Sequence, residues 1–135
     1  MLELIAEALD ARFTTRAHRE PRRRRRRRER ALAAGREVRF RGGVIGPEPY
    51  GRRLANVLFA SRVTLASAYA PAKKRTRRTL PVERLRLVTV RPRLSSEKKI
   101  PGHFHVVVCR DGDTEVLIVC APWNTGFVTA PLAAG

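Results

Sequence analysis

Apolar positions repeat every three or four residues at the start of the chain and every two residues further on. Leu2, Ile5, Leu9 and Phe13 recur at helical spacing, with Ala6 widening the stripe, which predicts an amphipathic helix over 2–18. Glu3 and Glu7 lie near its start and Arg12, Arg16 and Arg19 near its end, the order that a helix dipole favours. Pro21 at a first helical position and Gly35 just past the end predict a second, short helix between them. Its interior is a block of arginine, and like charges four residues apart repel. That helix is expected to fray in water and to be ordered by a bound anion.

From Val38 the pattern is that of strands. Val38 and Phe40 alternate with Arg39 and Arg41, and Gly42-Gly43 reads as a breaker before Val44-Ile45. Residues 46–51 read as a loop. The stretch 54–69 suits two strands through Val57, Phe59, Val63 and Leu65, or a helix through Leu54, Val57, Leu58, Ser61 and Leu65. Strands are preferred because the neighbours are strands. Residues 71–78 form a basic loop, 79–91 a turn at Pro81 leading into a strand, and 92–102 a second basic loop. His103–Arg110 and Thr114–Ala121 flank Asp111-Gly112-Asp113, a hairpin signal because Asp-Gly accepts positive φ. Asn124 is expected to cap one turn of helix that Pro131 ends. No internal repeat is present.

These periods predict a mainly β (α+β) chain. Residues 36–135 are expected to form a small β-rich body, and residues 1–35 an amphipathic helix with an arginine-rich arm. A chain of 135 residues has room for one such core. No stretch approaches the roughly 20 apolar residues that span a bilayer. Glu3, Glu7 and Asp10 interrupt any signal or transit peptide. A cytoplasmic location is expected, with the inner face of the membrane as a peripheral variant.

Arg78-Thr79-Leu80-Pro81-Val82-Glu83-Arg84-Leu85, running into Val88-Thr89-Val90, resembles bacterial PH-like domains. In those, a strand is followed by a Leu/Ile-Pro-x-x-x-Leu/Ile turn and another apolar strand. The Asp-Gly hairpin and a terminal segment carrying Trp123, Phe127 and Leu132 follow in the same order. From Arg36 onward the chain is similar to small uncharacterised actinobacterial proteins with such a body, in which a membrane helix precedes the basic run. Here the preceding segment is charged and amphipathic. The resemblance implies a small PH-like barrel or sandwich of antiparallel strands, serving binding or scaffolding rather than catalysis.

Charge decides the functional expectation. Lys and Arg number 29 against 12 Asp and Glu, a net +17. Every basic residue lies at or before Arg110. Such a field attracts anions and says little about fold. The candidate polyanion ligands fall in three clusters. They are Arg22, Arg23, Arg24, Arg25, Arg26, Arg27, Arg28 and Arg30; then Arg52 and Arg53; then Lys73, Lys74, Arg75, Arg77 and Arg78. Lys98-Lys99 sit in a further loop. The plain alternative is a solvated face, or a tail whose arginine reflects a GC-rich genome. Each guanidinium forks onto phosphate oxygens, and release of counterions favours binding. Aromatic residues are 6% of the chain and none lies in the arginine run, so binding is expected to tolerate any sequence. Nucleic acid is the preferred partner and anionic lipid the second. A protein partner or self-association through Leu2, Ile5, Leu9 and Phe13 is the third.

Catalytic chemistry is not expected, nor is a metal or cofactor. His103-x-His105 places two imidazoles on one strand face with Cys120 opposite one of them, but a fourth zinc ligand is not apparent. Nothing places a base and an orienting Asp or Asn beside Cys109 or Cys120. Asp111 and Asp113 serve the turn, and Gly42-Gly43 lacks the Lys-Ser/Thr of a phosphate loop. Within the hairpin, Cys109 faces Thr114 or Val116 and Cys120 faces His103 or His105. The two thiols are then well over 10 Å apart by the strand rise, too far for a disulfide.

Overall fold

A computed structural model describes residues 22–51, 56–69 and 77–134. The predicted helix over 2–18 lies outside them. The alternation that begins at Val38 runs through Gly42-Gly43 without a break, as one eight-residue strand, β1 (Val38–Ile45). The first half of β1 pairs antiparallel with β2 (Val57–Ala60), from Val38↔Ala60 to Arg41↔Val57. The second half pairs on its other side with β7 (Thr114–Cys120), from Gly42↔Cys120 to Ile45↔Leu117. The glycine pair is therefore no breaker. It marks where the strand changes partner, and the crossing is tight. A Cβ on Gly42 would lie 2.5 Å from the Val119 carbonyl oxygen and 2.7 Å from Leu58 Cδ1. Glycine in a strand is tolerated where another backbone approaches this closely.

Two meanders meet at β1. One continues from β2 to β3 (Leu65–Ala68) and the two-residue β4 (Arg78–Thr79). The other comprises β5 (Arg86–Pro92), β6 (His105–Asp111) and β7. Together they form one sheet in the order β4-β3-β2-β1-β7-β6-β5, curled into a half barrel. Residues 57–60 and 65–68 are thus strands, as preferred from their neighbours, with Val63 in the connection between them. A 3₁₀ turn at Val82–Arg84 follows Pro81 and leads into β5, as expected.

The hollow of the half barrel holds Val38, Phe40, Leu58, Leu65, Val107 and Ile118, closed by Phe127, Val128 and Leu132 of a terminal helix, α2 (Thr125–Ala134). Pro131 lies inside this helix rather than ending it. An interior proline costs about 3 kcal/mol. Phe127, Val128 and Leu132 are all buried, at about 1.5–3 kcal/mol each, which outweighs that cost. Asn124 is not the expected cap: it is buried, and among the described residues its Oδ1 has no hydrogen-bond partner.

On the outer face of β6 and β7 a second cluster forms from Ile100, Phe104, Val106, Val108 and Val119. Residues Val106–Cys109 are therefore buried on both faces, and read as an unbroken apolar run. The basic loop after β5 is organised by an acid. Glu97 accepts from Arg91 Nη1 at 2.7 Å and Nη2 at 3.1 Å, and from the Leu94 N–H at 2.7 Å. The Arg91 hydrogen bond holds the Glu97 carboxyl below the usual carboxylate range.

The hairpin has the register Cys109↔Val116 and His105↔Cys120. It starts at His105, not His103, and Gly112 alone takes positive φ, +61°. This is the arrangement of a II′ turn. Asp111 at its tip accepts from the buried Tyr50 hydroxyl at 2.7 Å and lies 2.7 Å from Arg84 Nη2, which ties loop 46–51 to the hairpin. Burial and this carboxylate push the Tyr50 phenol up to about 12.

Candidate functional site

The arginine block is helical over α1 (Arg22–Ala33). It holds its shape because one side of it is docked. Ala31 and Leu32 pack against the barrel core, and the Arg28 guanidinium lies 5.7 Å from the centre of the Phe127 ring. Burial lowers the pKa of Arg28. At the far end Arg62, from the β2–β3 connection, donates to the Leu32 and Ala33 carbonyl oxygens. Both carbonyls belong to the last turn of the helix, where a cation suits the dipole. Gly35 (φ +77°) ends the helix in a Schellman motif, with Arg36 N–H donating to Ala31 O and Gly35 N–H to Leu32 O. Along the helix Arg25 pairs with Glu29, one turn on.

The other face carries the charge. Arg22, Arg23, Arg26, Arg27 and Arg30 recur at i, i+1, i+4, i+5 and i+8 and, with Arg36, line an open concavity of about 620 Å³. All six are exposed, and none pairs with a carboxylate among the described residues. Successive guanidiniums in the row 22, 26, 30 are spaced by about 6 Å along the axis. Their mutual repulsion is a standing cost that a bound polyanion relieves.

The remaining candidates divide. Arg77 forks onto Glu37 and lies 4.4 Å from the centre of the Phe59 ring. Arg78, in β4 rather than in a loop, pairs with Glu48 and donates to Pro49 O at 3.1 Å. Both already have carboxylate partners. Arg52, Arg53, Lys73, Lys74 and Arg75 lie outside the described residues. Lys98 and Lys99 are exposed in the loop before β6. Arg36 joins the site without having been singled out in the sequence, and only the turn at Gly35 brings it there. Arg39 and Arg41 were visible as strand alternation, and their exposed outer face is what the structure adds.

The hairpin chemistry is quiet. Cys109 and Cys120 are buried free thiols, pushed by burial up to about 11 and about 12. A nucleophile needs the thiolate, which such values suppress at neutral pH. His105 faces Cys120, and burial lowers its pKa. Cys109 pairs with Val116, four residues along β7 from Cys120, so about 13 Å separates the thiols along the strand. Among the described residues no three His, Cys, Asp or Glu side chains gather as a metal-ligand set, and no helix is long and apolar enough to cross a membrane. Native protein should leave a thiol reagent unconsumed at neutral pH and give two thiols once unfolded without reductant. Fast labelling of the folded protein would show that the hairpin opens. Compared with protein-family profiles, with curated proteins and with solved structures, the chain matches none.

Proposed function

We propose that this is a non-enzymatic polyanion-binding module, in which the arginine face of α1 takes the phosphates of nucleic acid without reading sequence. One observation carries the reading: five exposed arginines of a helix anchored from behind, with Arg36 just past its end, line a single concavity and have no carboxylate partner among the described residues. Such an array gives nothing to the core and pays its repulsion whether or not a ligand is present. Docking removes much of the ordering cost that a free arm would meet on binding. Arginine is suited to the task, because its planar fork matches phosphate oxygens and is always charged. The body supports a binding role as well. Two meanders joined through β1 and β7, with a terminal helix over the opening, agree with the PH-like reading of the sequence. A cytoplasmic location completes the proposal.

The test is the salt dependence of affinity for a mixed-sequence duplex. With about five phosphates neutralised, the slope of log K against log salt should be roughly −4 to −5. Unrelated sequences of equal length should bind alike, because phosphate contacts carry no sequence information. Absence of binding at about 50 mM salt, where screening is still weak, would contradict the proposal. Binding to anionic vesicles but not to nucleic acid would make the same face a membrane contact.

A further inference from the structure

We propose that the outer face of β1 is a second phosphate-binding strip, in which Arg39 and Arg41 continue the α1 groove along the same nucleic acid. This rests on the reading of α1 given above. Arg39 and Arg41 are exposed and alternate with buried Val38 and Phe40, so both project from the outer side of the half barrel. Two residues along a strand set them about 6.7 Å apart. Neither pairs with a carboxylate among the described residues.

Each guanidinium is steered by an aromatic ring. Arg39 Cζ lies 5.9 Å from the centre of Phe59, its cross-strand neighbour, and Arg41 Cζ lies 6.0 Å from the centre of Phe104. A ring beneath the guanidinium limits its rotamers and leaves the N–H fork free for an incoming oxygen. Glu37, two residues before Arg39, would repel a phosphate there, but Arg77 already holds it in a fork. Lys99 adds a cation beyond Arg41, across a groove of about 480 Å³ floored by Ile100, Phe104 and Val119.

The strip begins close to the first site along the chain. Arg36 lines the α1 concavity and stands three residues before Arg39, at most about 10 Å even fully extended. A polymer seated on α1 therefore meets Arg39 and then Arg41 without leaving the protein surface.

The experiment uses the full chain and one duplex long enough to reach both surfaces. Arg39→Gln with Arg41→Gln should reduce the magnitude of the salt slope by about 2, since each phosphate contact contributes about 0.9. Arg39→Lys with Arg41→Lys should restore most of it, and melting of both variants should match the parent. On this longer duplex the parent slope should steepen to roughly −6, and replacing the five α1 arginines by Gln should flatten it by about 4, so that the two losses add. An unchanged slope in the Arg39/Arg41 variant, beside a flattened one in the α1 variant, would overturn the strip and leave the α1 site standing. A flattened slope only in the Arg39/Arg41 variant would remove the α1 reading instead. Loss of binding to anionic vesicles with an unchanged duplex slope would overturn the strip in favour of a lipid contact.

Discussion

Gly42→Ala will destabilise the half barrel by about 3 kcal/mol, as overpacking at a site that cannot relax does. The added methyl meets the Val119 carbonyl oxygen at 2.5 Å and Leu58 at 2.7 and 3.1 Å. Val119 is held in the β1–β7 and β6–β7 ladders, and Leu58 is fully buried. Neither yields without opening a strand pair at the point where β1 changes partner. Domains of this size have a stability of only about 5–15 kcal/mol, so the shift in the urea midpoint should be large. Gly126→Ala is the control. It lies in α2 with nothing within 4 Å of its added Cβ, and a gain of about 0.5–1 kcal/mol is expected there. Equal midpoints for Gly42→Ala and the parent would mean that β1 does not cross between the two meanders at this residue.

The same glycine shows where reading the sequence stopped short. A glycine pair after four alternating residues carries the same local signal in a loop and in a crowded strand. What distinguishes the two is Leu58 and Val119, both remote along the chain. Pro131 is a second case, in which a sound local rule lost to the burial of Phe127, Val128 and Leu132. Signals whose cause is local fared better. The helix stop at Gly35 and the turn at Pro81 were legible, whereas the hairpin left Cys109 facing Thr114 or Val116 and the strands within 57–68 were preferred over a helix only from their neighbours.

The site divides along the same line. That the arginine block is helical could be read from Pro21 and Gly35, but which of its faces is free could not. That depends on Phe127 and Arg62, which receive Arg28 and the end of the helix. Arg77 and Arg78 looked like free loop cations because their acids, Glu37 and Glu48, come from another part of the chain. Arg39 and Arg41 were in plain view, and signalled only a strand until Phe59 and Phe104 were placed beside them.

Replacing Arg22, Arg23, Arg26, Arg27 and Arg30 together by Gln separates binding from folding. Arg28, Ala31, Leu32 and Arg62, which dock the helix, are untouched. The change removes like-charge pairs four residues apart at 22/26, 26/30 and 23/27, each costing about 0.2–0.5 kcal/mol, so stability should rise by roughly 1 kcal/mol. Binding should move the opposite way. A slope of −4 to −5 means roughly a 500-fold loss of affinity for the parent between about 50 and 200 mM salt. The Gln variant should bind duplex far more weakly at the lower salt and change little on going to the higher. Arg25→Gln and Arg78→Gln, whose guanidiniums already have carboxylate partners, should each alter the slope by less than about 1.

The salt slope of this five-fold variant, measured beside the parent on one duplex, is the most direct test of the arginine face of α1 as a phosphate site. A slope flattened by about 4, in a protein that melts no lower than the parent, is the expected result. A slope equal to that of the parent would contradict it, and would place the phosphate contacts elsewhere on the chain.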